Sequence, residues 1–137
     1  MRKWEIDLTL IEAWMDDLGD EEYDNLIAAL EQLEEHGPVT RRPFVDTLEG
    51  SNHPNMKELR PRTTKAGAHI RVLFAFDTKS QAIMLIAGDK AGNWSKWYAK
   101  NIPIADALFT AHQERLHAEE SEGAETTKPK ARKGKKR

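Results

Sequence analysis

The spacing of hydrophobic residues predicts a strand and two helices near the start of this 137-residue chain. Trp4, Ile6 and Leu8 alternate with polar residues, and this period of two predicts a half-buried strand. A short helix is predicted over residues 9–18. A longer helix should follow from Asp20 to the Gly-Pro pair at 37–38, because apolar residues recur there at helical spacing. Its stripe consists of Tyr23, Leu26, Ile27, Leu30 and Leu33.

Three further strands are predicted in the middle of the chain, over residues 56–62, 70–77 and 82–88. Residues 37–55 are rich in Pro, Gly, Asn and Ser, so they are predicted to form a long connection without a strand. In the central strand, alternate residues share a face. The face that should meet the helices carries Ile70, Val72, Phe74 and Phe76.

A last helix is predicted from Pro103, because proline favours the first helical position. Its inner stripe consists of Ile104, Leu108, Phe109, His112 and Leu116. The periodicity stops near Glu119, which predicts a folded domain over residues 1–118 and a basic, disordered tail over residues 119–137. The element order predicts an α+β fold. A small antiparallel sheet of about four strands should pack one face against two N-terminal helices and a C-terminal helix.

Composition restricts the location and chemistry of the chain. It contains no cysteine, which fits a reducing compartment and excludes disulfides and thiolate sites. No apolar run approaches the roughly 18 residues that span a membrane, and the N-terminus lacks the apolar core of a secretory signal. We expect a cytoplasmic protein that does not enter a membrane.

Charge is unevenly distributed along a chain whose net charge is −2. Residues 1–54 carry 14 Asp or Glu against 4 Lys or Arg, whereas residues 55–100 carry 9 Lys or Arg against 3 Asp or Glu. The basic middle segment also contains aromatic residues, a combination that favours binding to a polyanion such as RNA. The tail is also basic and would add either salt-sensitive RNA affinity or solubility.

Three motifs occur in order in the basic segment: KELRPR at 57–62, IRVLFAFD at 70–77 and IMLIAGDK at 83–90. With the element order, they resemble the RelE/ParE superfamily of bacterial toxins, in particular its HigB-like branch, which includes phage-derived members. The resemblance covers roughly residues 3–118. It implies a RelE-like fold and the toxin of a type II toxin–antitoxin system. That toxin would be a ribosome-dependent endoribonuclease that cuts mRNA, inhibits translation and is held inactive by a helix-turn-helix, HigA-like antitoxin.

A non-catalytic function stays open. ParE-like relatives share the fold and poison DNA gyrase without cutting RNA, and some members of the superfamily are degenerate. Observing stalled replication with intact transcripts would favour this alternative.

Metal-independent RNA cleavage requires fixed cations around the reacting phosphate. Arg60 and Arg71 are the predicted phosphate clamp, because the planar guanidinium matches phosphate oxygens and stays charged. Lys90, next to a glycine and just beyond the last strand, is the third predicted cation. It would serve as a point charge or, with a lowered pKa, as the general acid.

Two residues compete for the role of general base. Glu58 shares a strand face with Arg60, so it would either accept the 2′-hydroxyl proton or only orient Arg60. His69 is the alternative, because its unperturbed pKa lies near neutrality. Either residue could instead have a purely structural or solvent-exposed role.

Further basic and aromatic residues are candidates for RNA contacts. Lys57, Arg62 and Lys65 would contact the RNA backbone, although Lys57 should point to the strand face opposite Glu58. Tyr98 would stack on a base. Trp94 and Trp97, at helical spacing with Tyr98, are more consistent with core packing.

The histidines do not form a metal-binding pattern, so no metal or other cofactor is predicted. The purified chain, treated with a chelator, exchanged into fresh buffer and added to a translation reaction, should therefore retain any mRNA-cleaving activity it has. A loss of cleavage that added zinc or manganese restores would contradict this prediction.

Overall fold

Five strands and three α-helices make up the part of the chain that the structure, a computed structural model, describes: residues 3–127, with side chains as far as residue 122. The strands are β1 (Ile6–Asp7), β2 (Val45–Thr47), β3 (Lys57–Leu59), β4 (Ile70–Phe76) and β5 (Ala82–Asp89). The helices are α1 (Glu12–Asp16), α2 (Asp20–His36) and α3 (Trp94–Thr127), and short 3-10 turns occupy Thr9–Ile11 and Gly37–Val39. None of the described helices is both long and apolar enough to cross a membrane.

The strands form one sheet in the order β1-β5-β4-β3-β2. Strands β2 to β5 pair antiparallel, while β1 pairs parallel with β5, so the sheet is mixed. The predicted α+β class is confirmed, but the sheet has five strands rather than about four. The additional strand, β2, lies in the segment predicted to be a connection, and its register pairs Val45 with Leu59.

Helices cover both faces of the sheet, so the prediction of a single covered face is wrong. On one face, Val72 and Phe74 of β4 pack with α2 residues such as Leu30 and Leu33. On the other face, Leu73 and Ala75 pack with α3. The physical reason is that β4 is apolar on both faces, and each face must be shielded from water.

Helix α3 begins at Trp94, nine residues before the predicted start at Pro103. The side-chain oxygen of Asn93 accepts a hydrogen bond from the Lys96 backbone at 3.2 Å and so caps the helix. Pro103 removes the donor that would bond the Ala99 carbonyl, but Ala99 is exposed, so water can satisfy that group. The helix also continues to Thr127 rather than ending near residue 118, and residues 128–137 of the predicted tail lie outside the described residues.

A buried carboxylate fastens α3 to the β4–β5 hairpin. Asp77 Oδ1 accepts hydrogen bonds from the backbone of Lys79 at 2.8 Å and of Gln81 at 2.9 Å. Its Oδ2 lies 2.9 Å from His112 Nε2 on α3. Because one carboxylate bonds both the backbone of the turn and a histidine of the helix, it fixes where α3 crosses the sheet.

Gly37 ends α2 and should be the glycine least tolerant of substitution. Its φ is 60°, and an added Cβ would lie 2.3 Å from the Trp4 ring. We expect Gly37→Ala to lower the free energy of unfolding by about 2–4 kcal/mol, through backbone strain and overpacking together. Gly67 is the matched control, with a φ of 94° and open space around it, and Gly67→Ala should cost about 1–2 kcal/mol. Equal losses in urea-unfolding experiments would contradict the assignment of the Trp4 contact.

Candidate active site

Five side chains meet where the ends of β3, β4 and β5 face the start of α3. We call this set the basic cluster: Glu58, Arg60, Arg71, Lys90 and Tyr98. Strand register brings them together, because Glu58 lies opposite Leu73, and Arg71 lies opposite Gly88. Residues paired across strands share a face, so Glu58 and Arg71 both point to the face that α3 covers.

Glu58 lies at the centre of the basic cluster and is only 4% exposed. Arg60 Nη1 donates a hydrogen bond to its Oε1 at 3.0 Å, and the Tyr98 hydroxyl donates to its Oε2. Both carboxylate oxygens are therefore engaged, which offsets the cost of burying the charge.

Tyr98 reaches Glu58 from the second turn of α3. Burial raises the pKa of Tyr98 well above its usual value, and the hydrogen bond to Glu58 and the negative charge of Glu58 raise it further. The phenol therefore stays protonated near neutral pH and serves as a hydrogen-bond donor.

Arg71 is a buried cation with an incomplete set of partners. It is 5% exposed, and its Nη1 donates to the Ile70 carbonyl at 2.7 Å. Its Nε is buried and has no hydrogen-bond partner among the described residues. Burial lowers the pKa of Arg71, Arg60 lowers it further, and Glu58 opposes both effects. An unpaired buried donor is costly, so Arg71 leaves an unsatisfied hydrogen-bond donor inside the basic cluster.

Lys90 directly follows β5 and is half-buried. Burial lowers the pKa of Lys90, and the charge of Arg71 adds to the shift. Its Nζ lies 5.5 Å from the Tyr98 ring centroid and 5.7 Å from that of Trp94. The adjacent Asp89 accepts hydrogen bonds from the backbone of His69 and Ala91, each at 2.9 Å, and these bonds shape the turn that carries Lys90.

The basic cluster contains three cationic side chains and one carboxylate, so it carries excess positive charge; Asp46, opposite Glu58 on β2, pairs with Arg42. Burial is the main cause of the lowered pKa values of Arg71 and Lys90, and like charges add to both: Arg60 lowers the pKa of Arg71, and both arginines lower that of Lys90. A bound anion would relieve this repulsion, and a phosphate group offers acceptors for several donors at once. Within the described part of the chain, no group of three or more acidic or histidine side chains is placed to hold a metal ion.

The other predicted site residues lie apart from the basic cluster. Lys57 pairs with Phe74 and therefore points to the α2 face, as the strand alternation predicted. Arg62 lies over the Phe44 ring at 5.8 Å, and the backbone of Lys65 donates to the Glu21 carboxylate. The His69 ring nitrogen Nδ1 lies 3.2 Å from Thr63 Oγ1, and no hydrogen bond among the described residues joins that ring to the basic cluster.

The two tryptophans of the first turn of α3 differ in environment. Trp97 packs against β5 so closely that a Cβ at Gly88 would lie 2.6 Å from its Nε1. Gly88 is therefore needed for α3 to approach the sheet, and the prediction of core packing is confirmed for Trp97. It is wrong for Trp94, which is 60% exposed. The four-residue spacing of Trp94 and Tyr98, which places both on one side of a helix, was the available signal.

Comparison with protein families places these features in a known group. Residues 13–110 match the model of the family described as phage derived protein Gp49-like (DUF891). The chain belongs to the Gp49-like family. The matched range contains every member of the basic cluster, and the predicted relationship to phage-derived, HigB-like proteins is confirmed.

Two curated proteins of Mycobacterium tuberculosis (strain H37Rv) are similar to this Gp49-like chain. One, named "Putative toxin HigB2", is 47% identical over 133 residues, which are 97% of this chain and 62% of that protein. The other, named "Putative toxin HigB3", is 50% identical over 99 residues, which are 72% of this chain and 83% of that protein. The chain thus spans less than two thirds of the length of the HigB2 protein.

Titration of Tyr98 tests the geometry of the basic cluster. In a Tyr23→Phe background Tyr98 is the only tyrosine. Its ultraviolet absorbance should show that the phenol ionises at a pH well above about 10, the usual pKa of tyrosine. Since the folded pKa is raised, the contribution of the phenol to stability is complete below about pH 10 and disappears as pH rises through the folded pKa.

The Glu58→Gln substitution provides the comparison for that titration. Removing the negative charge should move the midpoint of Tyr98 downward, while burial keeps it above the usual value. Ionisation of Tyr98 at an ordinary pH in the folded chain, or an unchanged midpoint in Glu58→Gln, would contradict the described contact.

Proposed function

We propose that this chain is the toxin of a type II toxin–antitoxin system and acts in the cytoplasm as an endoribonuclease on ribosome-bound mRNA. The observation that carries the proposal is the buried Arg71, whose Nε lacks a partner and which lies beside two other cations and a fixed carboxylate. The names of the two mycobacterial relatives support the toxin role. The chemistry of the basic cluster supports an anionic substrate.

In the proposed reaction, the 2′-oxygen of a ribose attacks the adjacent phosphorus atom, and the bond from phosphorus to the 5′-oxygen breaks. The products are a 2′,3′-cyclic phosphate and a 5′-hydroxyl. Negative charge grows on the non-bridging oxygens as the pentacoordinate phosphorane forms. Arg71, Arg60 and Lys90 stabilise that charge, and donors already fixed in place avoid a reorganisation cost. Arg71 contributes its positive charge, and its Nε, which has no internal acceptor, donates to the phosphorane only after a neighbouring side chain moves aside.

Two proton transfers complete the reaction. Glu58 is the proposed base that takes the 2′-hydroxyl proton, and it must first exchange one of its two internal hydrogen bonds for the substrate. Lys90 is the proposed acid that protonates the leaving 5′-oxygen, because its lowered pKa makes proton donation easier. His69 would replace Glu58 as base only if its ring left Thr63.

The proposed partner is a helix-turn-helix antitoxin of the HigA type. The first 54 residues carry a large excess of acidic side chains, whereas the basic cluster carries an excess of cations. A partner that covers the basic cluster would exclude RNA from it, which gives a direct route to inhibition.

Replacing the guanidinium groups tests the proposed catalytic role. Expression of Arg71→Ala or Arg60→Ala should produce at least about 100-fold fewer new mRNA 5′ ends than expression of the wild-type chain, because each change removes a fixed donor to the phosphorane. The 5′ ends should be mapped in total RNA after induction. Wild-type ends should be phased with codons and should disappear when translation is blocked.

Lys79→Ala is the matched control, since it removes one positive charge from the exposed hairpin turn that follows β4. It should leave the pattern of mRNA ends unchanged. Full cleavage by a folded Arg60→Ala/Arg71→Ala double variant would overturn the assigned site. Growth arrest with intact transcripts and stalled replication would favour a gyrase-inhibiting or other non-catalytic toxin.

A further inference from the structure

The exposed indole of Trp94 lies beside the basic cluster and is not used by the proposed chemistry. It is 60% exposed, the highest exposure of the large aromatic side chains in the described part of the chain. An aromatic ring of this size buries a large apolar area when it meets a partner. Trp94 also stands at the first residue of α3, a position that the Asn93 cap fixes.

Contacts on two sides hold the indole in a defined orientation. The Tyr98 ring meets it edge-on, with centroids 6.3 Å apart and planes at 76°. The Lys90 ammonium lies 5.7 Å from its centroid. Tyr98 also binds Glu58, so the orientation of Trp94 is linked to the centre of the basic cluster. Such a ring is pre-oriented to stack and loses little conformational entropy when it does.

The charges around Trp94 suit a polyanion on this side of Tyr98. Residues 90–105 contain Lys90, Lys96 and Lys100 and no carboxylate. Toward the middle of α3, by contrast, an open groove of about 770 Å³ runs from Tyr98 past two carboxylates, Asp106 and Glu114. A phosphate backbone leaving the basic cluster is therefore drawn toward Trp94 and away from that groove.

We propose that Trp94 is a stacking platform for one unpaired base of a single-stranded RNA whose phosphate occupies the basic cluster. The inference rests on the proposed function for the identity of the polymer. The indole supplies a flat apolar surface, and Lys90 can reach the phosphate next to the stacked base. Because a base within a duplex already stacks on its neighbours, the platform selects single-stranded over double-stranded RNA.

Binding measurements on an RNA that the chain cannot cleave test the platform. The probe is a short single-stranded RNA with methylated 2′-hydroxyls, and a series of such strands carries one abasic position at each site in turn. Trp94→Ala should weaken binding of the intact strand about 5- to 150-fold, and Trp94→Phe should weaken it less. At one position in the series, removal of the base should leave the wild-type chain and Trp94→Ala with equal affinity for the strand.

Tyr23→Ala is the control, because Tyr23 is an aromatic residue of α2 with 43% exposure, and the variant should bind like the wild-type chain. The platform would be overturned by any of three results. Trp94→Ala could bind the intact strand as tightly as the wild-type chain, Trp94→Ala could lose the same affinity on every abasic strand, or the wild-type chain could fail to bind the probe at low salt. Cleavage is measured separately by mapping mRNA 5′ ends. If binding depends on Trp94 but no mRNA is cleaved, the stacking platform stands and the ribonuclease function is rejected. If mRNA is cleaved but binding does not depend on Trp94, the ribonuclease function stands and the platform is rejected.

Discussion

The burial of Arg71 is the interaction on which the arrangement of the site depends. A guanidinium cannot lose its charge inside the protein, so its surroundings must supply compensation. Glu58 supplies the opposing charge, and Arg60 and Tyr98 hold that carboxylate in place. The compensation is incomplete, because the Nε of Arg71 stays without a partner among the described residues. The interior thus retains an unpaired donor and an excess of positive charge.

This arrangement requires α3 to lie close to the sheet. Tyr98 reaches Glu58 only because Trp97 packs on Gly88, where any side chain would collide with the indole. Farther along the helix, the Asp77–His112 contact fixes the same helix on the hairpin. The two faces of the sheet therefore differ in composition. The α2 face buries the larger apolar cluster, whereas the α3 face combines a smaller apolar cluster with the charged groups of the basic cluster.

The local pattern of apolar residues correctly predicted the elements that have a strong periodic signal in their own sequence. Helix α2 has a regular apolar stripe, and β4 has continuous β-forming residues, so both were predicted closely. Strand β2 was missed because three residues with a central aspartate carry little signal, and pairing with β3 stabilises them. The start of α3 was misplaced because Pro103 is a strong signal for a helix start, while exposure of Ala99 removes most of the cost of an internal proline.

The grouping of residues in the candidate site was predicted in part. Glu58, Arg60 and Arg71 follow from strand alternation and the family resemblance, but the contact between Glu58 and Tyr98 spans 40 residues and has no local signal. Arg62 and Lys65 were chosen on charge alone, and charge does not say which face a loop presents.

The most direct test is the NMR signal of the Arg71 Nε–H during titration with a non-cleavable RNA. We predict a large shift for Arg71 and none for Arg115, which lies 17 residues beyond Tyr98 on α3. Saturable binding that leaves the Arg71 signal unchanged would contradict the account.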